Sequence, residues 1–252
     1  MPVAEPLTIA HIEAATLTAW PAITTAMDGT WLARFARGYT KRSNSIQCLD
    51  AADDGDAAAR LERLSDLYPL NSLDPIFRVT PLAGPRVIAA LDSAGWVPFE
   101  ESRVLTMPLA PEQWETPDNV RIYEGTDPKW HAGLVDMVAM DRRPAELLGV
   151  IVNLIACRNA GVLVYDPLGE PAAAAIAVHA SGIGVYHNVV TRADLRGRGY
   201  GRTAMRAALD WTRRVGATHA AIQVVSDNVP AINLYTSLGF SEAYRYHYRQ
   251  PR

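Results

Sequence analysis

Residues 189–202, Val-Val-Thr-Arg-Ala-Asp-Leu-Arg-Gly-Arg-Gly-Tyr-Gly-Arg, concentrate the most suggestive chemistry in the chain. Gly197, Gly199 and Gly201 alternate with Arg196, Arg198, Tyr200 and Arg202. This turn lies between a β-branched and aromatic run, Ile183 to Val190, and a helical pattern in which Ala204, Ala208, Trp211 and Val215 recur. Glycine at a strand-to-helix junction permits positive φ and lets the backbone come close to a ligand. The unpaired N–H groups of the next helix's first turn point at that ligand, and the macrodipole favours an anion. The chemistry is retention of a phosphate group, with Arg196, Arg198 and Arg202 adding positive charge.

Other readings of the turn are weaker. A dinucleotide fingerprint needs G-x-G-x-x-G and an acidic residue about twenty positions on, whereas the spacing here is G-x-G-x-G and Ala217 and Thr218 stand where the acid belongs. An arginine-glycine segment for nucleic acid is normally repeated and disordered; this one occurs once, between two ordered elements. An ordinary strand-to-helix turn that needs glycine remains open from the turn alone.

The elements around the turn must position it. Thr203 to Val215 reads as an amphipathic helix closed by Arg213, Arg214 and Gly216, and His219 to Val225 as a buried strand. Asp227, Asn228 and Pro230 mark a helix start. Ala231, Leu234, Tyr235 and Leu238 follow at i, i+3, i+4 and i+7, and Gly239 ends that helix. By spacing alone Tyr235 is a core tyrosine. Together, however, Arg196-x-x-Gly199-x-Gly201 and Asn228-x-x-Ala231-x-x-Leu234-Tyr235-x-x-x-Gly239-Phe240 resemble the acyl-CoA signature of the GNAT superfamily of N-acetyltransferases.

The resemblance covers about the last 135 residues. It implies a GNAT fold, an α/β (α+β) arrangement with a mixed, mostly antiparallel sheet flanked by helices. The order strand, two helices, three strands, helix, strand, helix, strand read from residue 120 onward agrees with it. It implies acetyl-CoA as co-substrate, with the pyrophosphate on backbone amides of Arg196 to Arg202 and the pantetheine arm along Val189, Val190 and Thr191. It places Asn228 and Ala231 at the pantetheine and makes Tyr235 the acid for the departing thiolate.

Acetyl transfer to an amine needs a positioned thioester, a donor on its carbonyl oxygen, a base and an acid. A backbone N–H near Val189 or Val190 suits the carbonyl. His187, read as sharing a strand face with Val185 and Val189, is the base candidate because imidazole titrates near neutral pH; Glu124 and Asp141 are alternatives. The expected reaction is direct attack by a primary amine of a small molecule or peptide. A non-catalytic acyl-CoA-binding sensor would use the same residues without turnover.

Composition sets the outer bounds. At 252 residues, 49% hydrophobic and 20% charged, the chain has the make-up of an ordinary globular protein long enough for two domains. A net charge of −3 offers no general attraction to nucleic acid or to an acidic membrane. Cys48 and Cys157 lack partners at metal-ligand spacing, so no metal is expected and a reducing, cytoplasmic setting is. The expected state is monomer or homodimer.

The proline-bounded segment Ala110–Asp118 reads as a linker between residues 1–112 and a GNAT domain at 117–252. In the first half, Trp31 to Arg37, Ser43 to Leu49, Pro75 to Thr80 and Phe99 to Leu109 read as strands, and Ala57 to Leu67 and Pro85 to Ala94 as helices. Ala90-Leu91-Asp92-Ser93-Ala94-Gly95-Trp96 parallels Leu234-Tyr235-Thr236-Ser237-Leu238-Gly239-Phe240, a weak internal repeat. With Leu91 in the place of Tyr235 and no R-x-x-G-x-G, the first half reads as a GNAT-like domain without CoA machinery, or as an unrelated α/β domain that mimics the ending.

Overall fold

The computed structural model describes residues 7–109 and 116–252; the expected linker falls mostly on 110–115, outside the described residues. In chain order the elements are α1 (Ile9–Ala19), β1 (Thr24–Asp28), β2 (Trp31–Phe35), β3 (Ile46–Cys48), α2 (Ala57–Ser65), α3 (Leu67–Leu70), β4 (Phe77–Val79), α4 (Pro85–Ser93) and β5 (Val97–Pro108). There follow β6 (Val120–Glu124), α5 (Pro128–Met137), α6 (Arg142–Asn153), β7 (Asn159–Tyr165), β8 (Pro171–Ala180), β9 (Ile183–Thr191), α7 (Tyr200–Arg214), β10 (His219–Val225), α8 (Val229–Ser237) and β11 (Ser241–Gln250).

Two compact units form, and neither is a contiguous stretch. Among the described residues the first unit holds Ala15–Ala19 and 106–222; the second holds Leu7–Ala14, Trp20–Leu105 and Gln223–Arg252. The packing therefore does not follow a cut at 112/117. The reason lies in strand pairing: β11 is antiparallel to β4, with Tyr248 opposite Arg78, so the C-terminal residues pack with the first half of the chain.

In the first unit the strands run in the order β10-β9-β8-β7-β6. All neighbours are antiparallel except β9 and β10, which are parallel. One face is covered by α7. Ala173, Ala175 and Ala177 of β8 and Ala204 and Ala208 of α7 are fully buried, and such small side chains let a helix lie close to a sheet. Tyr186 shares a hydrogen bond with Thr212 on that face. On the opposite face Trp130 of α5 lies so close to Gly161 that a Cβ there would meet its ring at 2.2 Å.

The second unit's strands include β1-β2-β3-β4-β11. Trp31, Phe35, Ile46 and Phe77 form one core with Leu61 and Leu64 of α2 and Val87 and Leu91 of α4. The other face is polar yet buried: Arg78 pairs with Glu13 of α1, Tyr244 donates to the same carboxylate, and the Arg78 guanidinium lies 3.9 Å from the Tyr246 ring. Buried charges persist only when paired in this way.

The β1–β2 hairpin across Gly29 and Thr30 was not expected, because Thr24 to Asp28 is mostly exposed and lacks an apolar alternation. The expected strands 31–37, 43–49 and 75–80 are shorter, at Trp31–Phe35, Ile46–Cys48 and Phe77–Val79. The two repeated segments end alike. Trp96 N–H donates to Leu91 C=O at 3.0 Å after Gly95, and Phe240 N–H donates to Tyr235 C=O at 3.1 Å after Gly239, both glycines having positive φ.

Candidate active site

The site is built first on the end of β9. His187 pairs with Ile176 and Val190 with Ala174, so Asn188 and Val189 together oppose Ala175. This is a β-bulge, and Asn188 takes φ 49°, a left-handed conformation that asparagine tolerates better than most residues. The bulge breaks the expected alternation. Residues directly opposite share a face, so His187 and Val185 share theirs with Val190, and Val189 does not. The parallel ladder to β10 also ends at Tyr186 opposite Ile222, leaving His187 to Thr191 outside it. These residues of β9 become half-exposed from Asn188 onward, while His187 is only 3% exposed.

Beyond β9 the chain makes the turn. Arg192 donates to Asp166 at 2.8 Å and to Asp194 at 3.0 Å, bracing the strand end against the β7–β8 turn. Asp166 also accepts from the N–H groups of Leu168 and Glu170, and these bonds with Arg192 hold its carboxyl below the usual range. A depressed carboxyl stabilises the fold above its ordinary value and loses that effect as pH falls through the folded value. Asp166→Asn should therefore lower Tm at neutral pH, and the gap to the parent should close as melts are taken toward pH 3; a pH-independent gap would exclude this origin.

Gly197 has φ 77° and Gly199 φ 88°, and a Cβ on either would meet nothing within 4 Å. These glycines are required by conformation and leave open space in front of the backbone. Gly199 caps α7 with no side-chain hydrogen bond, so the N-terminus of a fifteen-residue helix faces that space. Arg196 and Arg198 are exposed there and make no ion pair among the described residues. Gly201, Arg202 and Tyr200 form the helix's first turn and are half-buried. The arrangement suits a pyrophosphate.

Tyr235, Asn228 and Ala231 belong to the second unit. Tyr235 is 5% exposed, its ring lies edge-on to Phe240 at 6.0 Å, and burial pushes its hydroxyl up to about 12. Asn228 caps α8 by accepting from Ala231 N–H at 3.2 Å. Its carbonyl oxygen is thus engaged by the fold, and its amide N–H groups make no hydrogen bond among the described residues. Asn228→Ala should cost about 1 kcal/mol through the lost cap, read as a lower Tm; an unchanged Tm would show that this cap does not hold the helix start.

Chain-wide comparison decides the family. Residues 7–249 match the family described as "Probable histone acetyltransferase Rv0428c C-terminal". The chain belongs to this family. It is 26% identical over 249 residues to the "Uncharacterized N-acetyltransferase YobR" of Bacillus subtilis (strain 168), covering 97% of this chain and 99% of that one. Its fold is similar to a GCN5-related N-acetyltransferase from Kribbella flavida, with TM-score 0.71, 17% identity and coverage of 98% and 96%. It is also similar to a tandem GNAT protein from the clavulanic acid biosynthesis pathway, with TM-score 0.65, 14% identity and coverage of 98% and 88%. The expected GNAT fold is present, and the chain is an acetyltransferase of the GNAT type.

Within this GNAT acetyltransferase the alternative bases separate from His187. Glu124 lies on the edge strand β6 and, through Ala160 and Ala177, in one row with Tyr186 on the α7 face. His187 points to the other face, three strands away, roughly 14 Å at usual strand spacing. Asp141 is exposed at the start of α6. The residue that sequence reading passed over is Asn188; the signal was a residue ill suited to a strand interior in the middle of one. Among the described residues no helix is long and apolar enough to cross a membrane.

Proposed function

We propose that the protein is an acetyl-CoA-dependent N-acetyltransferase acting on a primary amine of a small molecule or peptide. The observation that carries this is the glycine turn Gly197–Gly201, open at both positive-φ glycines and set between a bulged strand end and an uncapped helix N-terminus. Residues Arg196 to Arg202 hold the pyrophosphate of the co-substrate, and Val189, Val190 and Thr191 lie along its pantetheine arm. Asn228 and Ala231 receive that arm from α8.

His187 accepts the proton of the incoming ammonium, and the neutral nitrogen attacks the thioester carbonyl as the carbon–sulfur bond breaks. A backbone N–H at the bulge bonds the carbonyl oxygen. Tyr235, protonated at neutral pH with its hydroxyl pushed up to about 12 by burial, gives its phenolic proton to the leaving sulfur, and the acylated nitrogen sheds its remaining proton to solvent, from which the phenolate is restored. The first half of the chain is a GNAT-like partner that lacks the turn, as the matched ends of α4 and α8 and the leucine at position 91 support.

Release of free thiol from acetyl-CoA across a panel of amines, amino acids, polyamines and peptides tests this reading. No thiol release with any amine, despite bound acetyl-CoA, would overturn it. If His187 is the base, His187→Ala should flatten the acidic limb of the kcat/KM–pH profile, because that limb reports deprotonation of the accepting group. An unchanged limb would remove His187 from the role.

A further inference from the structure

The first unit contains a second concave site, on the sheet face covered by α7. It is an open cleft of about 480 Å³, lined among others by Ile122 and Glu124 of the edge strand, Cys157, Arg158 and Asn159 before and at the start of β7, and Trp211 of α7. It is not the glycine turn. Trp211 lies eleven residues along α7 from Tyr200, about 16 Å at helical rise. Glu124 shares its row with Tyr186, whereas Thr191, next to the turn, shares a row with Val120 at the other end of β6.

The cleft places opposite charges in one concavity without joining them. Glu124 and Arg158 both line it, both are exposed, and neither makes an ion pair among the described residues. A singly charged ligand would meet one attraction and one repulsion there. A molecule carrying both charges satisfies both, with the guanidinium taking a carboxylate in two parallel hydrogen bonds and the carboxylate taking an ammonium. Ile122, 39% exposed on a strand whose Val120 is buried, and the half-exposed Trp211 ring supply apolar surface for a side chain.

We infer that this cleft binds a free α-amino acid with an apolar side chain, its ammonium on Glu124, its carboxylate on Arg158 and its side chain on Trp211 and Ile122. The ligand occupies a site separate from the glycine turn, so the inference does not rest on the acetyl-transfer reading.

Calorimetry on the full chain without acetyl-CoA tests it, using L-phenylalanine and L-leucine, with 2-phenylethylamine and 3-phenylpropionate as analogues lacking one charge. Saturable binding of at least one amino acid is expected, with each analogue at least ~10-fold weaker than L-phenylalanine, as loss of one charge-assisted contact requires. Glu124→Gln, Arg158→Gln and Trp211→Ala should each weaken amino-acid binding by ~10-fold or more. All three lie on or near the surface, and equal Tm values show that they fold. Absence of saturable binding by either amino acid, equal binding by the analogues, or unchanged affinity in the three variants would overturn the inference. Displacement of the amino acid by acetyl-CoA would also overturn it, by placing the ligand at the turn.

Discussion

Tyr235→Phe is expected to lower kcat by about 10²–10⁴ while acetyl-CoA affinity holds, the size of effect that a lost general acid produces. The structure makes the substitution clean. The ring packs edge-on against Phe240 and is nearly buried, and phenylalanine keeps that packing. The hydroxyl makes no hydrogen bond among the described residues, so its removal leaves no partner unsatisfied. A drop in kcat with unchanged Tm therefore reports chemistry. A variant with full kcat would take Tyr235 out of the mechanism and leave the positioning of two substrates as the main source of rate.

Gly199→Asp should raise the Kd for acetyl-CoA by about 10²-fold or more. A carboxylate roughly 6 Å from a phosphate charge at an effective dielectric near 20 opposes it by ~3 kcal/mol. The left-handed backbone at position 199 strains any side chain by about 1–2 kcal/mol, so affinity is read well below the variant's Tm. Aspartate is among the residues that accept a left-handed backbone, and the Cβ at position 199 meets no atom within 4 Å. Gly199→Ala separates the causes, since it adds the methyl group without the charge and should weaken binding far less. Calorimetry showing unchanged affinity in Gly199→Asp would reject the turn as the phosphate site.

The glycine turn was legible because its chemistry is written in adjacent residues: the alternation of glycine and arginine, the apolar run before it and the helical stripe after it all lie within about thirty positions. The bulge was not, because a bulge is a property of two strands. Nothing in residues 183–191 alone says that Asn188 and Val189 will share one partner in β8, and so the expected common face of His187 and Val189 was wrong. The β1 strand escaped for a different reason: no residue from Thr24 to Asp28 is buried, so no apolar alternation marks it, and it is held by pairing to β2. The compact units escaped because the decisive pairing, Tyr248 with Arg78, joins residues far apart in the chain. The helix stripe of Tyr235 was legible as a stripe, but spacing could not distinguish a packed tyrosine from an acid.

That distant pairing sets a timetable for biosynthesis. Strand β4 is made early, and its antiparallel neighbour β11 occupies residues 241–250, about 160 residues further along the chain. At usual elongation rates the wait is on the order of ten seconds. During it, the edge of β4 is unpaired, and the Glu13–Arg78 pair lacks the hydroxyl of Tyr244. A nascent chain of this protein thus presents an open strand edge beside a partly dressed buried charge, the kind of surface that invites misassociation. Synthesis of β11 is the event that completes the second unit, and a chain lacking residues 241–250 would remain in its unfinished state.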